Sequence, residues 1–207
     1  MEFLKRALAL VIILIFSATV SKAQDFIKKK DAFQKSYIQE ATGEYLAAIA
    51  SLKEVYDEKS YEINLRLGWL TYQSGSFTES KAYYNNAVTL MPYSLESRLG
   101  LVNPLAALGN WTEVLSQYEK MLDISPNNSI VLHRLGLIYY GKGDFETARK
   151  YFDKVLNLYP FDYDALTMSA WTYLKLQNLR EAKILFQKAL LNTPNGTSAV
   201  EGLDLLK

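Results

Sequence analysis

Trp69 and Trp171, like Arg66 and Arg134, are separated by whole multiples of 34. Tryptophan, tyrosine and arginine dominate protein-binding hot spots, because they bury a large flat area and still donate hydrogen bonds. The two tryptophans therefore either grip a partner or pack against neighbouring helices. A guanidinium at one recurring place clamps a partner's carboxylate or pairs with an acid of its own chain such as Glu62. His133 is the sole histidine. It reads a partner's charge near neutral pH, or is simply a groove or surface side chain, since the sequence offers it no identifiable acid–base partner. There is no cysteine, which excludes disulfides, thiolate metal sites and cysteine nucleophiles. One histidine cannot build a multi-histidine metal centre. No Ser/His/Asp, Cys/His or metal constellation is recognisable, so the chemistry on offer is binding.

The elements that must position these side chains repeat. Pro92, Pro126, Pro160 and Pro194 are evenly spaced at that same interval, each just past an apolar run. Gly75, Gly109 and Gly143 keep the same beat, and each precedes an aromatic: Phe77, Trp111 and Phe145. A fixed period of this length means one supersecondary unit, repeated and stacked. Within each unit two apolar patterns of helical spacing flank a short turn. In residues 129–162 the first helix carries Leu132, Leu135, Ile138 and Tyr139, and the second Phe145, Ala148, Phe152, Val155 and Leu156. Ser129 and Asp144 are placed as the two N-caps, and Pro160 stops the second helix. The same plan fits residues 61–94, 95–128 and 163–196. A weaker unit covers about 29–60, two residues short near Asp57–Ser60, with its turn at Gly43. The tail 198–207 is a further short helix with Val200, Leu203 and Leu206 on one side. It caps the last repeat's open face or is the remnant of a truncated repeat.

The N-terminus is a separate object. Lys5 and Arg6 precede the apolar stretch Ala7–Phe16, and small and polar residues follow it, ending Ser21-Lys22-Ala23. Residues 1–23 therefore read as a secretory signal peptide cleaved after Ala23, the alternative being an uncleaved anchor. The apolar run is shorter than the roughly 20 residues that span a bilayer, which favours cleavage. The formal net charge is +1, of which the leader holds +2, leaving −1 for residues 24–207. That balance gives no electrostatic case for nucleic acid or an anionic membrane surface. Lys28, Lys29 and Lys30 read as a solvated helix face.

These units resemble the tetratricopeptide repeat. The family pattern of a large residue, Leu-Gly, Tyr, Ala, an aromatic, Ala and Pro is filled by Leu132, Leu135-Gly136, Tyr139, Ala148, Phe152, Val155 and Pro160. Leu67-Gly68, Tyr84, Ala87 and Pro92 match in one neighbouring unit, and Leu166, Ala170, Tyr173, Ala182, Phe186, Ala189 and Pro194 in another. Gly68, Gly136 and Ala170 let paired helices approach. Tyr84, Tyr118, Phe152 and Phe186 fill the space between pairs, so truncating a buried phenylalanine to alanine costs about 3–5 kcal/mol. The third unit departs from the pattern: Leu101-Val102 stands in the Leu-Gly slot, a second Leu-Gly appears early at Leu99-Gly100, and Pro104 falls inside the first helix. Pro104 is either a tolerated kink or a bend that shapes a groove beside Asn103.

The resemblance implies an all-α fold, a right-handed α-α superhelical solenoid of about five 34-residue helix-turn-helix repeats with a short C-terminal capping helix, occupying residues 24–207. It implies that the first helix of each pair lines a concave wall that takes a peptide or a partner helix. That wall would show Arg66, Trp69, Tyr72 and Gln73, then Asn103, His133, Arg134, Leu137 and Tyr140, and last Thr167, Trp171, Leu174 and Lys175. The family's Lys/Asn carboxylate clamp is not supported, because Leu65, Trp69, His133 and Leu137 hold the corresponding places. The expectation is a non-enzymatic interaction scaffold or assembly factor without cofactor or metal, exported to the periplasm of a Gram-negative bacterium. Its partner would be a protein or peptide, with no nucleic acid and no stable membrane insertion after cleavage. The alternatives are a self-associating structural array, or an accessory subunit of envelope polymer processing or export.

Overall fold

The computed structural model describes residues 24–207; the signal peptide expected over residues 1–23 lies outside the described residues. Among the described residues there are eleven helices and no strand. The chain divides into two compact units, with the boundary between Trp111 and Thr112.

The first unit holds α1 (residues 24–41), α2 (Tyr45–Lys53), α3 (Tyr61–Gln73), α4 (Phe77–Leu90) and α5 (Leu95–Ala107). Consecutive helices pack on each other from α2 to α5, and α3 also meets α5. A core of Ala32, Ala48, Leu52, Ile63, Leu67 and Leu70 joins α1, α2 and α3. The second unit holds α6 (Trp111–Ile124), α7 (Ser129–Gly141), α8 (Phe145–Leu158), α9 (Tyr163–Lys175), α10 (Leu179–Asn192) and α11 (Thr197–Asp204). Leu132, Val155 and Ala165 join α7, α8 and α9, and Leu166, Ala170, Phe186 and Ala199 join α9, α10 and α11.

Helix starts follow the period more strictly than the sequence pattern suggests. Ser60, Ser94, Asn128 and Asp162 each accept a hydrogen bond from the backbone N–H three residues on, satisfying a donor the helix cannot pair itself. The cap of α7 is thus Asn128, whose Oδ1 takes Val131 N–H at 3.1 Å; Ser129, expected as the cap, is the first helical residue. Asp144 caps α8 as expected, accepting from Thr147 N–H at 3.1 Å. The fifth place in the cap series is Gly196, where a Cβ would run into the Tyr163 hydroxyl. The turns between paired helices carry a left-handed residue at Gly43, Gly75, Gly109 and Gly143. Gln177 takes that conformation in the last pair, with φ of 61°.

The recurring aromatics are buried as their spacing predicts: Tyr84, Tyr118, Phe152 and Phe186 are at most 6% exposed. Two of these rings lie directly against a glycine of their own helix pair. A Cβ on Gly68 would lie 2.9 Å from the Tyr84 ring, and one on Gly136 2.6 Å from Phe152. In α5 the early Leu-Gly does not move the register. Leu101 and Val102 are buried, Ser94 caps the helix in frame, and Gly100 opens the space that the far side of the Tyr84 ring fills. The helix runs on through Pro104, which is itself buried.

The tail differs from its expected outline. α11 spans Thr197–Asp204, and it buries Ala199 and Gly202 while Val200 is exposed. Its residues follow the first-helix register: Ile63, Ser97, Val131, Ala165 and Ala199 hold one place in successive repeats and are all buried. Gly202 faces Phe186 as Gly100 faces Tyr84.

Candidate functional site: two register-equivalent hollows

Each unit carries a hollow beside its first helices. The hollow of the first unit, about 480 Å³, is lined by Tyr61, Glu62, Leu65, Arg66, Trp69 and Glu96, together with Phe33, Tyr37 and Tyr84. That of the second unit, about 520 Å³, is lined by Ser129, Ile130, His133, Arg134, Leu137 and Asp164, with Val155, Tyr159 and Asp162. The first six residues of each set correspond one to one, at a spacing of two repeats. Residues of one helix face at positions i, i+3, i+4 and i+7 supply four of the six, and the start of the next first helix supplies Glu96 or Asp164.

In the first hollow Arg66 and Trp69 converge on one carboxylate. The Trp69 indole N–H donates to Glu40 Oε1, and Arg66 Nη2 stands against Glu40 Oε2. Arg66 Nε donates to Ser36 Oγ at 3.2 Å, and its guanidinium lies 4.0 Å over the Tyr37 ring. Arg66 is 9% exposed. Burial pushes the Glu40 carboxyl upward, but the Trp69 N–H and the Arg66 guanidinium outweigh it and hold its pKa below the usual carboxylate range. The acid that serves Arg66 is therefore Glu40, not Glu62, which instead accepts from the Ser60 hydroxyl at 2.9 Å. Glu96 accepts from the Tyr61 hydroxyl at 3.2 Å. Tyr72 packs between Trp69, at 6.3 Å, and Phe77, at 5.6 Å between ring centroids. Gln73 is half-buried, and Asn103 is exposed on α5 outside the hollow lining.

The second hollow is built differently at the same places. His133 sits edge-on to Phe152, with ring centroids 5.6 Å apart, and its Nε2 is buried without a hydrogen-bond partner. Burial lowers its pKa; Asp164 and Asp162 pull it back up, and Arg134 lowers it further. The imidazole is therefore neutral at pH 7. Arg134 is exposed, and among the described residues no acid stands within ion-pair distance of it. Tyr140 packs edge-on to Phe145 at 5.2 Å. Lys175 is exposed, Leu174 half-buried, and Thr167 is buried with its hydroxyl donating to the Tyr163 carbonyl at 2.9 Å.

The two tryptophans of matching register have separate environments. Trp69 is 37% exposed at the first hollow. Trp171 packs edge-on to Phe186 at 5.2 Å and donates from Nε1 to Ser198 Oγ at 2.8 Å, which ties α9 to α11. Sequence reasoning missed Glu40, Tyr37, Phe33 and Glu96. The first three lie in the unit that is two residues short, where a strict count by the common period points one helical face away; counting back 32 from Tyr72 finds Glu40. Among the described residues no three His, Asp or Glu side chains cluster as metal ligands do. None of the described helices is long and apolar enough to cross a membrane.

Known proteins carry the same pattern. A family model described as the EMC2 TPR-like repeat domain matches residues 84–199, more than half of the chain, and a tetratricopeptide-repeat model matches residues 61–93. Human peptidyl-prolyl cis-trans isomerase FKBP4 is 30% identical over 128 residues, 62% of this chain and 24% of that protein, so the chain spans about a quarter of that relative's length. Among solved structures, a tetratricopeptide-repeat protein of Parabacteroides merdae superposes with a TM-score of 0.74 at 21% identity, covering 86% of this chain and 72% of that one. MamA superposes at 0.69 with 19% identity, covering 80% and 91%. YrrB, described as having an unusual peptide-binding site, superposes at 0.69 with 16% identity, covering 91% and 97%. At these identities the likeness is one of fold, that of all-α helical repeats. With caps, turn glycines, buried aromatics and family model all on one repeating frame, the chain belongs to the tetratricopeptide-repeat family.

Proposed function

We propose that this chain is a non-enzymatic interaction module that holds a protein or peptide partner against the hollows of its first helices, as a scaffold or assembly factor. The observation that carries this reading is the correspondence of the two hollows. Six lining places recur two repeats on, and they combine aromatic or apolar walls with charged groups, the composition of a binding hot spot. An isolated packing defect would not repeat in register. We further propose export to the periplasm of a Gram-negative bacterium, supported by Lys5-Arg6, the apolar run and the Ser21 and Ala23 pair. N-terminal sequencing of chain isolated from its host checks this, with Gln24 as the expected first residue.

The binding test uses a photo-crosslinking side chain at Tyr37 or Leu137, both at hollow linings, and at Lys183, exposed on α10, as control. Crosslinks to a defined partner from the hollow positions but not from the control support the reading. Equal labelling from all three, or a partner that crosslinks only to the control, overturns it. Self-association is the second reading, favoured by the exposed apolar side chains of Val200 in α11 and Leu205 just after it. Sedimentation at two concentrations separates the two.

A further inference from the structure

The hollow of the first unit is acidic and aromatic once its own ion pair is accounted for. Among the described residues that line it, Arg66 is the one cation, and Glu40 neutralises that charge from the side. Glu62 and Glu96 remain. Each accepts a hydrogen bond from a neutral hydroxyl, Ser60 and Tyr61 respectively, and neither stands within ion-pair distance of a described basic side chain. Both belong to the first turn of a helix, α3 and α5. Tyr61, Trp69 and Tyr37 share the lining with them, and a cation over an aromatic face gains from the ring quadrupole. Arg66 over Tyr37 shows the interaction already made once by the chain itself.

We infer that the first hollow recognises a lysine or arginine side chain on an extended segment of the partner, with Glu62 and Glu96 as its counter-charges and the surrounding aromatic rings as its walls. This rests on the protein-binding reading and names the chemistry of the partner. The second hollow carries Asp164 at the place of Glu96, so an acid flanks both hollows at the same register. An acidic partner segment would meet two uncompensated carboxylates, and the guanidinium that would receive it is already engaged.

The test is selection of random dodecapeptides displayed on phage against the full chain, followed by binding of the selected peptides to the chain and to Glu62→Gln/Glu96→Gln. Circular dichroism checks that the variant is folded; both sites are exposed, so it should be. The expected result is enrichment of Lys and Arg, binding that weakens as salt rises, and at least tenfold loss in the double variant. Selected peptides that lose binding in Tyr37→Ala but show no basic enrichment, or that bind the double variant equally well, overturn this inference and leave the protein-binding reading standing. Enrichment of Asp and Glu overturns it too. If no peptide depends on Tyr37 or Leu137, both readings fall together.

Discussion

The ring of Tyr84 occupies the space that a side chain on Gly100 would need. Tyr84 belongs to α4 and Gly100 to α5, so the glycine sets how closely one repeat's second helix meets the next repeat's first. Alanine in place of glycine ordinarily stabilises a helix interior by about 1 kcal/mol. Here the sign should reverse. Gly100→Ala drives a methyl into the phenol ring and should destabilise by about 1–3 kcal/mol, the usual cost of overpacking. Gly141→Ala is the control, because nothing lies within 4 Å of its Cβ position. Urea unfolding of both variants decides it; equal or positive shifts for the two would remove the packing role assigned to Gly100.

The same pair shows how much of the fold is legible in the sequence. The period, the helix pairs and the buried aromatics follow from residue types at fixed spacing, because a stacked repeat imposes the same packing demand each time. Leu99-Gly100 looks like a register slip, since a glycine answering a ring on the preceding repeat cannot be told from one answering its own repeat. The wall of the hollows is legible at Arg66, Trp69, His133, Arg134 and Leu137. It is not legible at Glu40, because ion pairing depends on a short first repeat whose frame the sequence leaves open. Nor does the sequence show that Trp171 is spent on α11: its partner Ser198 lies in a tail that keeps the first-helix register but has no hydroxyl at the same place in the earlier repeats.

Gln177 holds a left-handed conformation that its four counterparts give to glycine. A side chain there costs roughly 1–2 kcal/mol, and glycine returns part of that gain as backbone entropy. Gln177→Gly should therefore stabilise the chain by about 0.5–1 kcal/mol, read as a higher urea midpoint at an unchanged slope. A lower midpoint would show that the Gln177 side chain makes contacts that outweigh its backbone.

Glu40 links stability to acid. Burial alone would raise its carboxyl pKa, but the hydrogen bond from Trp69 and the Arg66 guanidinium bring it below the ordinary value of 4.5. The folded chain thus prefers Glu40 ionised. That contribution is full above the ordinary value and is lost as pH falls through the folded one. Glu40→Gln should lower stability at pH 7 by about 1–3 kcal/mol, since Arg66 loses its counter-charge, and the gap to the parent should narrow as pH drops below 4.5. Thermal melts at pH 7 and pH 3.5 measure both. A gap that persists at low pH would mean that the glutamate acts through packing.

His133 gives the opposite window, and the absence of any other histidine makes the experiment clean. Its pKa lies below the ordinary 6.5, first because the imidazole is half-buried against Phe152 and then because Arg134 repels a second positive charge; Asp164 and Asp162 only partly offset this. The unfolded chain therefore takes up the proton before the folded one does. Stability should be full above pH 6.5 and fall as pH drops below it, levelling once the folded imidazole is also protonated. His133→Gln keeps a polar group in the hollow but removes the titration. The difference between parent and variant melting temperatures should then be constant above pH 7 and shift in favour of the variant as pH falls below 6.5. Glu40 does not contribute to that window, because its titration lies lower. A difference that stays flat across it would show that His133 is solvated like a surface histidine, and the neutral imidazole assigned to the second hollow would have to be abandoned.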